Sequence, residues 1–133
     1  MDEGRAGFPW EERLHARRDF LRAYDHGDKL STPSFVLYVV ENGRPCHRLG
    51  LAVSRKLGGA VVRNRIRRRL REVFRTSKTL ISPPCDLVVN ARRAAAAAVS
   101  RQLATDFERA ATALKDRRAT LGRRPATGAD RVC

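Results

Sequence analysis

The residues that most clearly offer chemistry lie in one stretch, 61–75: Arg63, Asn64, Arg65, Arg67, Arg68 and Arg71. A guanidinium presents a planar fork of donors that matches two phosphate oxygens and stacks on nucleobases. On a 3.6-residue wheel, Asn64, Arg68, Arg71 and Arg75 share one side, with Arg63 and Arg67 flanking them. Val62, Ile66, Leu70 and Val73 form an apolar stripe on the other side, at the spacing of a core-facing helix. Glu72 is the only acid in the stretch. Like charges one turn apart repel, so such a face is unfavourable until a polyanion neutralises it. A merely solvated basic face would intersperse acids with its bases, and this one does not.

The whole chain has the same bias. It carries 28 Lys and Arg against 14 Asp and Glu, a formal net charge of +14 on 133 residues, and Arg greatly outnumbers Lys. Between Arg44 and Arg75 there are eleven bases and one acid. A concentrated charge of this kind points to nucleic acid. A membrane surface fits less well, because no long apolar span exists and the basic helix carries core-type aliphatics instead of interfacial aromatics.

Hydrolytic chemistry of the chain's own finds no support. Gly-x-Ser-x-Gly, a Walker loop and His-Glu-x-x-His are absent. Asp86 and Asp106 stand far apart, one expected to begin a strand and the other to face solvent on a helix, whereas a two-metal nuclease needs converging acids. His15, His26 and His47 do not pair with cysteines at zinc spacing, so no metal site and no cofactor bound by the protein alone is expected. Cys46, Cys85 and Cys133 form no Cys-x-x-Cys pair and read as reduced thiols of a cytoplasmic protein. The N-terminus lacks the apolar core of a signal peptide.

These residues need a scaffold, and length allows one domain. Residues 1–12 read as a flexible extension broken by Gly4, Gly7 and Pro9, 13–116 as the domain, and 117–133 as a disordered basic tail. Within the domain, 14–26 reads as a helix stopped by Gly27, and 35–40 as a strand. Asn42-Gly43 signals a hairpin, with 48–54 as the return strand. That return strand alternates Leu49, Leu51 and Val53 with Gly50, Ala52 and Ser54, and the small row predicts a groove above the sheet. A loop with Gly58-Gly59 leads into the basic helix, 60–77. Residues 86–91 form a third strand and 95–116 a second amphipathic helix. The order α-β-β-α-β-α predicts an α/β (α+β) two-layer sandwich, a small sheet covered by helices.

In this order and spacing, Arg48-Leu49-Gly50-Leu51-Ala52-Val53-Ser54-Arg55-Lys56, then Gly58-Gly59-Ala60-Val61-Val62 and Arg63-Asn64-Arg65-Ile66-Arg67-Arg68, resemble the protein subunit of bacterial ribonuclease P. Arg63-Asn64-Arg65 matches that family's signature triplet. Arg13-Leu14, Asp19-Phe20, Gly27 and Phe35-Val36-Leu37-Tyr38 match upstream, and Asp86-Leu87-Val88-Val89 with Ala91-Arg92 downstream. The resemblance spans about residues 13 to 115.

The resemblance implies a mixed sheet with a left-handed βαβ crossover through the signature helix. It implies a catalytic RNA partner that holds the Mg²⁺ ions, and precursor tRNA whose 5′ leader lies in a cleft between the first helix and the sheet. No membrane and no obligate protein partner are implied. It places RNA-subunit contacts at Arg63, Asn64, Arg65, Arg67, Arg68 and Arg71, and leader contacts at Phe20, Tyr24, Phe35, Tyr38, Ala52, Ser54 and Lys56. Aromatic faces beside bases suit unpaired nucleotides, although ordinary core packing is the alternative for Phe20 and Phe35. Two positions depart from the pattern. Arg69 stands beside the apolar stripe, where its head is expected to snorkel outward, and Gly59 replaces a polar side chain. A ribosomal protein and a DNA-binding regulator are the competing readings, the second weakened by a helix that offers Arg almost exclusively.

Overall fold

Strand alternation sorts the chain into two packing faces. In the run Phe35–Glu41, Phe35, Leu37 and Val39 are buried while Val36, Tyr38 and Val40 are half-buried. The two sets therefore meet different partners. The structure, a computed structural model, describes residues 12–120. Its elements are α1 (Arg17–His26), β1 (Asp28–Ser31), β2 (Phe35–Glu41), β3 (Arg48–Ala52), α2 (Ala60–Ser77), β4 (Cys85–Ala91) and α3 (Ser100–Thr120), with short 3₁₀ turns between some of them. The mixed α+β fold is as expected, with one strand more. β1 escaped the sequence reading because Asp28-Lys29-Leu30-Ser31 buries only Leu30.

The sheet runs β1-β2-β4-β3. β1 and β4 pair antiparallel with β2, and β3 pairs parallel with β4. The Asn42-Gly43 hairpin is thus corrected: β2 and β3 are not neighbours, since β4 lies between them. The Asn42 side chain explains the detour. Its Nδ2 donates to the Cys46 carbonyl (3.1 Å) and to Asp86 Oδ1 (2.9 Å), and its Oδ1 accepts from the Arg44 N–H (2.9 Å). These bonds hold a wide loop, with Gly43 at φ 65°.

Leu37, Val39, Leu49, Leu87 and Val89 join Ile66, Leu70, Val73 and Phe74 of α2 and Leu103, Phe107 and Leu114 of α3 in the main core. On the opposite face, Leu14, Ala23 and Val88 form a smaller cluster with Phe20, Tyr24, Tyr38 and Val40. Helices therefore cover both faces of the sheet. α2 occupies the residues the sequence predicts. α1 starts three residues late, because Leu14 is held extended, its N–H donating to the Leu49 carbonyl (2.9 Å). Gly27 ends α1 through close approach, as a Cβ there would sit 2.5 Å from the Ala23 carbonyl oxygen.

The groove expected over the small-residue row is partly filled. A Cβ on Gly50 would lie 2.6 Å from the Phe20 ring, so Phe20 occupies that end and only the Ala52 end stays open. Both predicted domain edges also shift. Glu12, expected in the flexible extension, is buried and accepts from Lys78 Nζ at 2.9 Å. α3 continues to Thr120. Arg117 donates to the Lys29 carbonyl (3.2 Å), and buried Arg118 to the Ser82 carbonyl (2.8 Å). The rest of the predicted extension and tail lies outside the described residues. Asp106, expected in solvent, is fully buried and accepts from Gln102 Nε2 at 3.4 Å. Cys85 is a free thiol whose pKa burial pushes up to about 11. Cys46 is disulfide-bonded, contrary to the expectation of reduced thiols throughout.

The fully buried Asp86 carboxylate ties the layers together. Arg48 Nε donates to Oδ1 and Arg48 Nη2 to Oδ2, both at 2.8 Å, and Asn42 adds the third bond. From α1, Arg22 reaches within 3.8 Å of Asp86 and Asp19 within 3.6 Å of Arg48. The bonds from Asp86 raise the Arg48 pKa. Asp86→Ala leaves the Arg48 guanidinium with only the longer Asp19 contact and is expected to cost about 3 kcal/mol of unfolding free energy, read by chemical denaturation.

A second buried polar group gives stability a pH dependence. His47 Nδ1 accepts the Cys85 N–H at 2.9 Å, and burial lowers the His47 pKa below its ordinary 6.5. The unfolded chain takes up this proton first as pH falls. Stability is therefore flat above pH 6.5 and declines below it. His47→Asn keeps an acceptor without titrating there, and should flatten the decline in a pH series of melting temperatures.

Candidate nucleic-acid interface

The loop before α2 sets the basic helix in place. Gly58 has φ 144°, and a Cβ there would lie 3.0 Å from Val62. Its carbonyl accepts from Arg63 Nε at 3.2 Å, which fixes the first signature arginine. Gly59 precedes α2 with open space at its Cβ position, so the departure at this residue removes a side chain without filling a gap.

The arginines of α2 divide by task. Arg65 Nη2 donates to the Ala96 carbonyl at 3.4 Å and Arg69 Nη1 to the Ala98 carbonyl at 2.7 Å. Both pin the 93–98 turn against α2. Arg69 was expected to send its head to solvent; it is corrected to a tether, because an unsatisfied carbonyl lies within its reach. Asn64 is exposed, and its Oδ1 accepts from Arg67 Nη1 at 3.1 Å, an orienting contact. Arg68 is exposed. Arg71 is half-buried, and burial together with the charges of Arg13 and Arg67 pushes its pKa down. This gathering of cations is costly without an anion. Arg75 is paired with Glu72, the one acid of the helix. Asn64, Arg67, Arg68 and Arg71 thus form a line along the helix that adds Arg13, which the sequence reading did not place there.

A second surface lies on the α1 face of the sheet. Tyr24 and Tyr38 meet edge to face, ring centres 4.8 Å apart at 83°. The Tyr24 hydroxyl donates to Asn90 Oδ1 at 2.9 Å. Burial raises the Tyr24 pKa, so the phenol keeps its proton. The ladder aligns Val36, Asn90 and Ala52 in one row across three strands, each only half-buried. Exposed Lys56 stands beyond Ala52, and its N–H donates to Ser54 Oγ at 3.1 Å. The outer side of α1 adds a hollow of about 400 Å³ lined by His15, Arg17, Phe20, Leu21 and Tyr24.

Of the seven expected cleft residues, Phe20, Tyr24, Tyr38, Ala52, Ser54 and Lys56 fall on or beside this surface. Phe35 does not. It is 1 % exposed, on the other face of β2 in the main core. The pleat forces the choice, since Phe35 and Tyr38 are an odd number of residues apart and cannot share a face. Asn90 was not among the residues expected in the cleft, although a polar side chain in the otherwise apolar 87–91 run was the signal. Among the described residues, no group of three or more His, Cys, Asp or Glu is placed to hold a metal, and no helix is long and apolar enough to cross a membrane.

Comparison with known proteins agrees with this fold. Residues 8–115 match the family model described as Ribonuclease P. A ribonuclease P protein component of Thermotoga petrophila is 43% identical over 86 residues, covering 65% of this chain and 74% of that one. One from Thermotoga maritima is 39% identical over 102 residues, covering 77% and 80%. The RNase P protein of Staphylococcus aureus superposes with a TM-score of 0.70 at 35% identity, covering 78% of this chain and 95% of that one. The RNase P protein from Thermotoga maritima gives 0.65 at 35%, covering 72% and 91%.

Phe35→Ala should cost about 3–5 kcal/mol of stability, as a cavity-forming core truncation. Lys56→Ala, at the exposed rim, should stay within about 0.5 kcal/mol. Paired denaturation curves of the two variants check the reassignment of Phe35.

Proposed function

The chain belongs to the ribonuclease P protein family, and on that premise we propose that it is the protein subunit of a cytoplasmic ribonuclease P holoenzyme. It binds the catalytic RNA through α2 and the 5′ leader of precursor tRNA through the cleft on the α1 face. It thereby assists endonucleolytic removal of the leader. The RNA subunit, with its Mg²⁺ ions, carries the phosphodiester chemistry, and the protein supplies binding and position.

The observation that carries this reading is the separation of two different polar surfaces on one small sheet. α2 offers Asn64, Arg67, Arg68 and Arg71 along one helical line, Asn64 and Arg68 exposed and Arg67 and Arg71 half-buried. Guanidiniums there suit the phosphates of a folded RNA. The α1 face offers a ring pair, an amide and the open Val36-Asn90-Ala52 row instead. Single-stranded nucleotides stack on aromatic faces with little sequence readout. A strip one side chain deep cannot take a duplex, but it can take an unpaired strand. The Tyr24–Asn90 bond stiffens the tyrosine and so lowers the entropy lost on stacking.

Two measurements test the division. Tyr24→Ala and Tyr38→Ala should each cost about 1–3 kcal/mol in holoenzyme affinity for precursor tRNA with a leader of several nucleotides. Affinity for mature tRNA should hardly change. Equal losses for both substrates would sink the cleft assignment.

Arg68→Ala should weaken binding to the RNA subunit and reduce the log–log salt slope by about 1, one phosphate contact. Weaker binding with an unchanged slope would give Arg68 a structural or base-contacting role.

A further inference from the structure

A third concavity lies at the opposite edge of the sheet from β3. It holds about 430 Å³ between β1, the turn that follows it and the outer side of α3. Leu30, Ala110 and Ala113 line it together with the cations Lys29, Arg109 and Arg117. No acid lines it. Asp28 lies 3.6 Å from Arg117 Nη1, and Arg117 also donates to the Lys29 carbonyl at 3.2 Å. Those two contacts hold the Arg117 head at the mouth. Lys29 and Arg109 are exposed, and neither side chain has a hydrogen bond or ion pair among the described residues.

We propose that this groove is a second nucleic-acid site, which takes one phosphate-bearing nucleotide of single-stranded RNA. Leu30 and Ala110 form a nearly buried floor and Ala113 is exposed beside it, so the side chains that meet the face of a base are small and apolar. Three cations at the rim meet the phosphates on either side of it. Its volume suits a nucleotide. The groove is distinct from both surfaces already described: Leu30 and Ala110 belong to the main-core face, the tyrosine cleft opens on the other face, and Lys29, the ladder partner of Tyr38, stands at the sheet edge between them. Binding here lets the protein hold two strands at once, and the linked contacts raise the effective concentration of each. The inference stands on the groove itself and does not require the tyrosine cleft to bind a leader.

The test follows backbone amide resonances of the full-length ¹⁵N-labelled protein. Three probes are titrated separately: tetrauridylate, inorganic phosphate and tetraglutamate. Tetrauridylate should shift the amides of Lys29, Leu30, Ser31, Ala110 and Ala113 saturably, at concentrations where the other two probes leave them still. The double variant Lys29→Ser/Arg109→Ser removes two exposed cations with no packing role. It should weaken these shifts, leave those of Ala52 and Asn90 in the tyrosine cleft intact, and lower the salt slope of groove binding by about 1.4, two contacts at about 0.7 each. Groove amides that stay still, or that answer tetraglutamate equally, overturn the proposal. Groove shifts without cleft shifts would instead count against the leader cleft and leave this site standing.

Discussion

The Asp86 carboxylate is the constraint on which the arrangement depends. It is sealed from water and satisfied by two bonds from Arg48 and one from Asn42, with Arg22 close by. These partners come from different parts of the chain: the donors Arg48 and Asn42 from strand β3 and the loop after β2, and the nearby charge of Arg22 from helix α1. A buried carboxylate is strongly unfavourable without such partners. The three segments are therefore tied in relative position, although they are not adjacent in sequence. Replacing the whole network by apolar side chains would not necessarily lose stability. What the network adds is direction: it fixes how α1 lies over the sheet, and hence where Phe20 and Tyr24 stand relative to Tyr38 and Asn90.

α2 resolves a conflict between packing and charge by dividing its arginines. Arg63, Arg65 and Arg69 donate to backbone carbonyls of the flanking turns, and Arg75 pairs with Glu72. These contacts hold the helix against the 93–98 turn while Ile66, Leu70, Val73 and Phe74 hold it against the sheet. The remaining bases, Arg67, Arg68 and Arg71, lie close enough together that the charges of Arg67 and Arg13 push the Arg71 pKa down. A helix anchored on two sides can carry that repulsion, whereas an isolated one of the same sequence would fray.

Local features were legible in the sequence, and long-range ones were not. The limits of α2, the apolar stripe it buries and the identity of three strands followed from periodicity alone. The partner of β2 did not, because nothing in 35–52 announces that residues 85–91 will insert between the two strands. Phe35 and Tyr38 look alike by composition, and only the pleat sends one inward and the other to the cleft. β1 was hidden by its charged residues and α3's true end by Arg117 and Arg118, which read as tail but are held by the Lys29 and Ser82 carbonyls. Asp106 shows the same limit: a helical acid is normally outside, and nothing local marks this one as buried.

The place of β4 in the sheet has a consequence for how the chain is made. Its neighbours β2 and β3 are both synthesised earlier, and neither pairs with the other. Phe35 pairs with Ala91, and Arg48 with Asp86. Until residue 91 leaves the ribosome, the apolar face of β3 and the buried stripe of α2 lack their central partner, and only the short β1–β2 pair can form. Pairings this distant are the slow ones in folding. For that interval the nascent chain exposes an arginine-rich helix with an unburied apolar side in surroundings dense with RNA. Folding of the domain is thus a race in which the last strand to emerge closes the middle of the sheet.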